Sequence, residues 1–298
     1  MPMVIASSTL ITERLPGLMC PDIAPADLTD NTQYLLLDLA QEASLSALIH
    51  ADRALLGWAF EPLLSGTDQQ HLASVGPHLA ALPQSCSSLV DILQRLPEAP
   101  LGLVLRLRTG VTWTALIAHC RHHLWVNGPN GRVLFRWFDP RGLRALLTGL
   151  STTQREALTA PFESLVWHGG SGWYRWSRHD DEWPGGEQPV ALSLDAEVLE
   201  RVAQERLWDK AFILAERYAN HLPASFDLAV TRVFEVLSVA RQFGYGVADQ
   251  QERWLREYLR RGEFWRVPHL ETLLKQPDIP LEQRLCALET QPLTGVTP

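Results

Sequence analysis

The sequence has only four cysteines, Cys20, Cys86, Cys120 and Cys286, and no two of them form a C-x-x-C pair. Zinc ribbons and thioredoxin-type redox sites need that spacing, and a disulfide scaffold needs a much higher density of cysteine. The sequence therefore excludes these classes, and a reducing cytoplasm is the compartment we expect.

Long hydrophobic runs are also missing. Residues 69–90 contain no Asp, Glu, Lys or Arg, but Gln, His, Ser and Pro are spread through them, so they do not predict a membrane span. The N-terminal residues include a short apolar stretch without a preceding basic segment or a clear cleavage site. We therefore expect neither a signal peptide nor stable membrane insertion.

Positive charge is scarce relative to negative charge. The chain carries 26 Lys and Arg against 34 Asp and Glu, which gives a formal net charge of −8. A domain that binds nucleic acid through its phosphates is usually basic, so no nucleic-acid partner is expected. The chain has 298 residues and 46% hydrophobic content, which is enough for one large folded domain or two smaller ones.

The common catalytic motifs are absent, because the sequence contains no Walker loop, no H-E-x-x-H and no G-x-S-x-G. The run His168–Gly172 resembles the glycine-rich oxyanion segment of some esterases, whose backbone N–H groups stabilise a tetrahedral intermediate. That chemistry needs a serine on a nucleophile elbow elsewhere, and the sequence offers none. An exposed turn is the favoured interpretation, and a hydrolase is kept as an alternative.

Three histidines lie on one predicted helix, and two of them, His119 and His123, are spaced to share a face and chelate a metal. A tight site needs further ligands, and no acidic residue is near in sequence. A partly solvated helix end is favoured, and a metal-binding regulatory protein is the second alternative. We expect no cofactor and no enzymatic activity.

The first part of the chain alternates strand and helix patterns. Strands are predicted at Tyr34–Asp38, at Trp58–Leu64 with Pro62 at an edge or a strand end, and at Leu101–Leu107. Thr112 is placed to cap a helix that extends to about residue 123. Two β-prone runs flank the turn Asn127–Gly131 and predict a hairpin.

The most informative local pattern is FRWFDPRGLRALL at Phe135–Leu147. A strand is predicted to end at Phe138, Asp139 suits the N-cap of the next helix, and Pro140 suits its first turn. Ser151 and Gln154 then have the spacing of a capping box. From residue 195 onward the pattern is almost entirely helical, with Gly244 at a helix C-terminus and a capping box at Asp249 and Glu252.

These patterns predict an α/β (α+β) N-terminal lobe over residues 1–189, with a mixed sheet flanked by helices, and an all-α lobe over residues 190–298. The Gly- and Trp-rich segment 168–189 is expected to be a loop or a β-ribbon that ends in a linker. Four arginines lie on the predicted strands, where solvated faces or ion pairs are commoner roles than a basic patch: Arg106, Arg108, Arg132 and Arg136.

The order of these segments resembles the adaptor or effector-chaperone family of bacterial type VI secretion systems, over roughly residues 33–166. The matching pieces are YLLLDLA near Tyr34, WAFEPLL near Trp58, VGPHLAALP at Val75–Pro83, LGLVLRL at Leu101, and GRVLFRWFDPRGLRALL at Gly131–Leu147. The resemblance is most specific at an aromatic-aromatic-Asp-Pro-Arg step that follows an arginine. Here that step is Trp137-Phe138-Asp139-Pro140-Arg141, preceded by Arg136. The residues carried over as family hallmarks are Arg136, Asp139, Pro140 and Arg141, and a structural role is expected for them.

The resemblance implies a non-enzymatic cytoplasmic protein that binds a secreted effector and helps to load it onto a VgrG or PAAR spike protein. We expect the two lobes to form a cleft or concave face for one segment of the effector. Exposed aromatic and arginine side chains are enriched at the centres of protein interfaces. The candidate partner-binding residues are Trp173, Tyr174, Trp176, Tyr245, Phe264, Trp265 and Arg266.

Overall fold

The computed structural model of the chain describes residues 34–42, 44, 45, 47, 59–81, 87–128, 131–170, 172–178 and 192–292. The chain divides into two compact units, residues 1–205 and 206–298. The first contains a six-stranded sheet with helices, and the second is helical, which confirms the predicted fold class. The predicted division at residues 189 and 190 stays a prediction, although Leu192, Leu194 and Val198 belong to the core of the first unit.

The described residues contain eight strands and nine α-helices. The strands are β1 (Tyr34–Asp38), β2 (Ala59–Pro62), β3 (Pro77–Ala81), β4 (Gly102–Leu107), β5 (Trp125–Gly128), β6 (Gly131–Leu134), β7 (Phe162–His168) and β8 (Trp173–Ser177). The helices are α1 (Ser87–Arg95), α2 (Trp113–His123), α3 (Pro140–Gly149), α4 (Thr152–Thr159), α5 (Ala196–Arg217), α6 (Phe226–Gln242), α7 (Ala248–Arg261), α8 (Pro268–Leu274) and α9 (Leu281–Thr290).

The main sheet of the first unit has the strand order β2-β3-β1-β4-β7-β8, and each neighbouring pair is antiparallel. β2 lies at one edge and ends at Pro62, which cannot donate a hydrogen bond to a further strand. That position confirms the edge strand predicted there. Trp58, the first residue of the predicted strand, lies outside the described residues.

Both faces of this sheet are buried. Leu36 faces a core that also contains side chains of α2, α3 and α4, whereas Leu35 and Leu37 face a second core built with α1. The same alternation holds on β4 and β7. A sheet that is covered on both sides needs apolar residues at every position, which explains the unbroken apolar run of β1.

The predicted helix caps of this unit are confirmed. The Thr112 side chain accepts a hydrogen bond from the N–H of Ala115 at the start of α2. Ser151 and Gln154 form a reciprocal capping box at the start of α4. Such caps satisfy N–H groups that have no partner within the helix.

Both predicted ribbons are present, but the strand predicted to end at Phe138 ends at Leu134. β5 pairs with β6 as an antiparallel hairpin, and the two central residues of its turn lie outside the described residues. β7 and β8 form a second hairpin at the edge of the main sheet. The predicted linker at Trp183–Pro189 lies outside the described residues.

The second unit is an assembly of helices around Trp254, which is fully buried and stacks against Trp265 with ring centroids 5.8 Å apart. Gly244 follows the end of α6 with a φ of 91°, a left-handed conformation that confirms the predicted C-terminal cap. The capping box predicted at Asp249 and Glu252 is wrong. α7 begins at Ala248, so Asp249 lies within its first turn, where its charge faces the positive helix end.

No helix within the described ranges is long and apolar enough to cross a lipid bilayer.

Candidate functional site

Arg136, the first of the residues carried over from the family resemblance, contacts the C-terminal end of β1. The Arg136 guanidinium donates a hydrogen bond to the carboxylate of Asp38, the last residue of β1. The Asp38 side chain is 4% exposed, whereas that of Arg136 is 44% exposed. The Arg136 guanidinium also lies over the Phe138 ring, 5.8 Å from its centroid. Of the roles expected for the strand arginines, a solvated face or an ion pair, Arg136 has the ion pair.

Asp139 is the N-cap of α3, as predicted, and Pro140 is the first residue of the helix. Its carboxylate accepts a hydrogen bond from the backbone N–H of Arg141 at 3.0 Å and two from the Arg141 guanidinium at 2.9 and 2.6 Å. Burial alone would raise the pKa of Asp139. The hydrogen bonds from Arg141 and the charges of Arg141 and Arg136 outweigh burial and hold that pKa below its usual range.

The two aromatic residues of the motif anchor it in the core. Trp137 and Phe138 are 1% and 2% exposed, and the Trp137 ring lies 6.0 Å from that of Phe162. The contacts of this segment connect the start of α3 with the end of β1. Arg136 binds Asp38, which the sequence analysis did not single out, and Asp139 and Arg141 bind each other.

The His119–His123 pair lies inside the first unit. The two rings are 4.5 Å apart between centroids, and Nε2 of His119 donates a hydrogen bond to the Leu158 carbonyl oxygen at 2.9 Å. Burial lowers the pKa of His119 to about 4 and that of His123 to about 3. The interpretation as a partly solvated helix end is therefore wrong. Across the described residues, no group of three or more His, Cys, Asp or Glu side chains is arranged to hold a metal ion.

In the glycine-rich run, His168 ends β7, and Gly169, Gly170 and Gly172 lie between β7 and β8. The N–H of Gly169 donates to the Gly172 carbonyl at 2.9 Å, and the N–H of Gly170 lies 3.3 Å from Nδ1 of His168. These N–H groups close the turn itself rather than converging on an open site for an oxyanion. Ser171 lies outside the described residues.

Three candidate partner-binding residues lie on β8. Trp173 and Tyr174 are 8% and 5% exposed and pack into the two cores on opposite faces of the sheet, while Trp176 is half-buried. Tyr174 stacks on Trp167 with centroids 5.6 Å apart. The expectation that Trp173 and Tyr174 are exposed is wrong, because the sheet is covered on both faces up to this edge.

The other four candidates lie in the second unit. Tyr245 and Phe264 are fully buried against Trp254, so the expectation that they are exposed is also wrong. Trp265 is half-buried, and Arg266 is exposed and pairs with Glu263 at 2.9 Å. Trp265 and Arg266 therefore retain surface that a partner can reach. The partner-binding role of all seven residues stays a prediction.

The four strand arginines do not form one patch. Arg106 pairs with Glu163 at 2.9 Å, Arg108 is buried and donates to the Ala160 carbonyl at 3.2 Å, and Arg136 pairs with Asp38. Arg132 lies over the Trp125 ring, 5.0 Å from its centroid. Two of the four, Arg106 and Arg136, therefore have the ion pairs that the sequence analysis favoured.

A groove of about 660 Å³ that the sequence analysis missed lies between the turn after β2, α2 and the β5–β6 hairpin. Asp68 lies on the turn, Arg121 and His122 on α2, and Trp125 and Arg132 on the hairpin. Arg132 pairs with Asn127, two residues after Trp125, so Trp125 and Arg132 are diagonal neighbours on one face of the hairpin. The sequence could not show the groove, because its other wall comes from a distant turn.

Comparison with known proteins places the matching region in the first unit. Residues 33–157 match a family model described as a domain of unknown function, DUF4123. No curated protein and no solved structure matches the chain. The matched residues include Asp38 and the whole segment Arg136–Arg141. DUF4123 is a domain associated with type VI secretion effector adaptors. The match therefore covers most of the residues that carry the resemblance described in the sequence analysis.

Proposed function

We propose that this protein is a cytoplasmic adaptor and chaperone that binds a type VI secretion effector and helps to load it onto a VgrG or PAAR spike protein. The observation that carries this proposal is the DUF4123 match over residues 33–157. The protein acts by binding, without a catalytic step and without a cofactor. Its partners are the effector and the spike protein, and nucleic acid is not among them.

The geometry of the motif supports separate roles for buried motif residues, which stabilise the first unit, and for exposed residues, which bind partners. Asp38, Arg136 and Asp139 are engaged in contacts within the fold. Such residues hold α3 against the sheet, and their side chains are occupied by contacts within the protein. Recognition of the effector then belongs to exposed surfaces elsewhere on the protein.

Pull-down of the tagged protein from the cytoplasmic fraction of its own host tests this function. We expect one effector in near-stoichiometric amount, with or without a VgrG or PAAR protein. A matched strain that expresses the same protein without the tag is the control for proteins that bind the resin. The proposal fails if a host with an active secretion system yields no such partner.

Deletion of the gene gives an independent readout. We expect secretion of the recovered effector to stop while other effectors of the same system are still secreted. Restoring the wild-type gene should restore secretion. Unchanged secretion of that effector in the deletion strain would contradict a loading role.

A further inference from the structure

The β5–β6 hairpin leaves one strand edge open. All four residues of β6, Gly131–Leu134, are exposed, including the apolar side chains of Val133 and Leu134 at 45% and 37%. The opposite edge of the hairpin is covered, since Asn127 of β5 forms a bridge with Ser193. Within the described residues, no strand pairs with the outer edge of β6.

The hydrogen-bond pattern identifies the groups on that edge. The N–H of Phe135 donates to the Leu124 carbonyl, and β5 and β6 pair in the register Val126↔Val133 and Asn127↔Arg132. Antiparallel neighbours alternate between hydrogen-bonded and non-hydrogen-bonded pairs, so Val133 directs its backbone groups toward β5. Arg132 and Leu134 direct theirs outward. The Asn127 carbonyl oxygen accepts a hydrogen bond from the N–H of Leu194 on the far side of β5, as expected if Asn127 and Arg132 form a non-hydrogen-bonded pair.

The side chain of Arg132 places a positive charge beside this edge. Arg132 is exposed and lies over Trp125, and within the described residues no carboxylate pairs with it. Arg121 in the same groove is already neutralised by Glu61 at 2.5 Å. Asp68, on the facing turn, is the exposed carboxylate of the groove. Arg132 is therefore the cation next to the strand, on a chain whose net charge is −8.

We propose that β6 is a docking strand that receives an extended, acidic segment of a partner protein by strand addition. The backbone groups of Arg132 and Leu134 bind the added strand, a carboxylate of that strand faces Arg132, and an apolar side chain covers Leu134. Strand addition obtains affinity from main-chain hydrogen bonds and specificity from alternate side chains. The identification of this partner as an effector rests on the proposed function, whereas the binding chemistry does not.

A second copy of this chain fits the edge less well. Antiparallel pairing of two β6 strands would bring two Arg132 side chains onto one small ribbon, and like charges at close range are unfavourable. Charged residues on exposed edges are a common protection against self-association. A carboxylate on an added acidic strand would instead be attracted to Arg132.

The test uses the full chain and a short fluorescein-labelled peptide in which threonine alternates with valine and glutamate. Fluorescence anisotropy should show saturable binding that weakens as salt is added. A peptide with lysine in place of glutamate should bind at least about tenfold more weakly. A peptide with N-methylated amides along its pairing edge should not bind, because those amides form the main-chain hydrogen bonds.

Charge reversal in the protein provides the matched comparison. Arg132→Glu should lose affinity for the glutamate peptide by at least about tenfold and gain affinity for the lysine peptide. Arg175→Glu, at an exposed position on β8, should change neither affinity. Circular dichroism of both variants should match that of the wild type. Equal effects of the two substitutions, or no binding of the glutamate peptide, would overturn the proposal.

Two further measurements separate other occupants of the edge. If the wild type is a dimer in light scattering and Arg132→Glu changes that state, a second copy occupies the edge and the proposal is wrong. If the amides of Arg132 and Leu134 are already protected from hydrogen exchange in the free monomer, the chain covers its own edge and the proposal is again wrong. An effector that co-purifies equally with Arg132→Glu would leave the adaptor function standing and refute this site.

Discussion

The carboxylate of Asp38, at the end of β1, is bound by the guanidinium of Arg136, which lies 98 residues later in the sequence. Asp38 also accepts hydrogen bonds from the N–H of Ala40 at 3.3 Å and from Nε2 of Gln41 at 3.0 Å. A buried carboxylate is stable only when its oxygens have such partners. The pair therefore couples the central strand to the segment that begins α3.

Replacing Arg136 with Ala should destabilise the first unit. The carboxylate of Asp38 stays buried and loses its charged partner, so we expect the free energy of unfolding to fall by about 2 kcal/mol. Urea unfolding followed by tryptophan fluorescence measures this. Arg106→Ala is the matched control, because the Arg106–Glu163 pair is 48% and 31% exposed and should contribute less than about 1 kcal/mol. Equal losses in both variants would contradict the structural role of Arg136.

Asp139→Ala should lower stability by about 1 kcal/mol, because α3 loses its N-cap. Asp139→Asn keeps a capping oxygen and should retain most of the stability. Affinity for the partner should be unchanged in both folded variants. A folded and fully stable Asp139→Ala protein that fails to bind its effector would show that this residue has a direct role in recognition.

The pH dependence of the Asp139 contribution has a definite sign. The pKa of Asp139 is held below its usual range by Arg141 and Arg136 despite burial, so its ionised form stabilises the fold. This contribution is complete above about pH 4, the ordinary range of a free carboxyl, and is lost as the pH falls through the lowered pKa. The stability difference between the wild type and Asp139→Asn should therefore narrow in acid. A difference that stays constant down to low pH would contradict the charge contribution.

Local chemistry made several features of this fold predictable. Thr112, Asp139 and Ser151 cap their helices because a cap needs only a side-chain oxygen and the next few N–H groups. Gly244 was equally predictable, because a left-handed residue after a helix favours glycine. For Arg136 the sequence left a solvated face or an ion pair open, and it could not identify Asp38, since no local rule specifies a residue 98 positions away.

The strand β3 and the burial of Trp173 were not predicted, and in both cases the reason is packing on both faces of the sheet. The segment that forms β3 was not predicted as a strand, because it begins at Pro77 and both Leu79 and Ala80 are buried, so it lacks the alternation of a half-exposed strand. Trp173 was expected to be exposed because its neighbours include Gly, Arg and charged residues. Its burial depends on α1 packing on that face of the sheet, which is tertiary information.

The buried histidines should make the protein sensitive to acid. The pKa of His119 is lowered to about 4 and that of His123 to about 3 in the folded state, whereas unfolded histidine titrates near 6.5. The unfolded chain therefore binds more protons below pH 6.5, and folding stability falls as the pH decreases toward 4. His123→Phe should make this decline shallower by up to about 1.4 kcal/mol per pH unit.

The wild type and His123→Phe share every other titratable group. The difference between their slopes of unfolding free energy against pH therefore reports on His123. An unchanged slope in His123→Phe, with the fold intact by circular dichroism, would mean that His123 is not held neutral by burial.

Gly102 should not tolerate a side chain. It starts β4 with a φ of 154°, and an added Cβ would lie 2.0 Å from the carbonyl oxygen of Leu36 and 2.9 Å from the Cα of Leu37. Both contacts are with the backbone of the adjacent strand, so a side-chain rotation cannot relieve them. Gly102→Ala is expected to abolish cooperative unfolding of the first unit or to yield insoluble protein.

Gly142, within α3, is the matched position, because an added Cβ there meets no atom within 4 Å. Gly142→Ala should raise the free energy of unfolding by about 0.5–1 kcal/mol, since alanine favours the helix and restricts the unfolded chain. Differential scanning calorimetry compares the two variants directly. A Gly102→Ala protein as stable as the wild type would contradict the close approach of β4 to β1.

Arg266 provides the cleanest test of the predicted partner-binding residues in the second unit. Its side chain is 75% exposed, so Arg266→Glu changes surface charge with little effect on the core, apart from a repulsion with Glu263 of a few tenths of a kcal/mol. We expect about tenfold weaker binding of the effector and an unchanged unfolding temperature. Arg232→Glu, on α6 at 45% exposure, controls for net charge. Tyr245 and Phe264 are buried, so replacing either would change the stability of the fold together with any effect on binding. Arg266 tests the surface without that complication. If Arg266→Glu binds the effector as tightly as the wild type, Arg266 is not part of the interface.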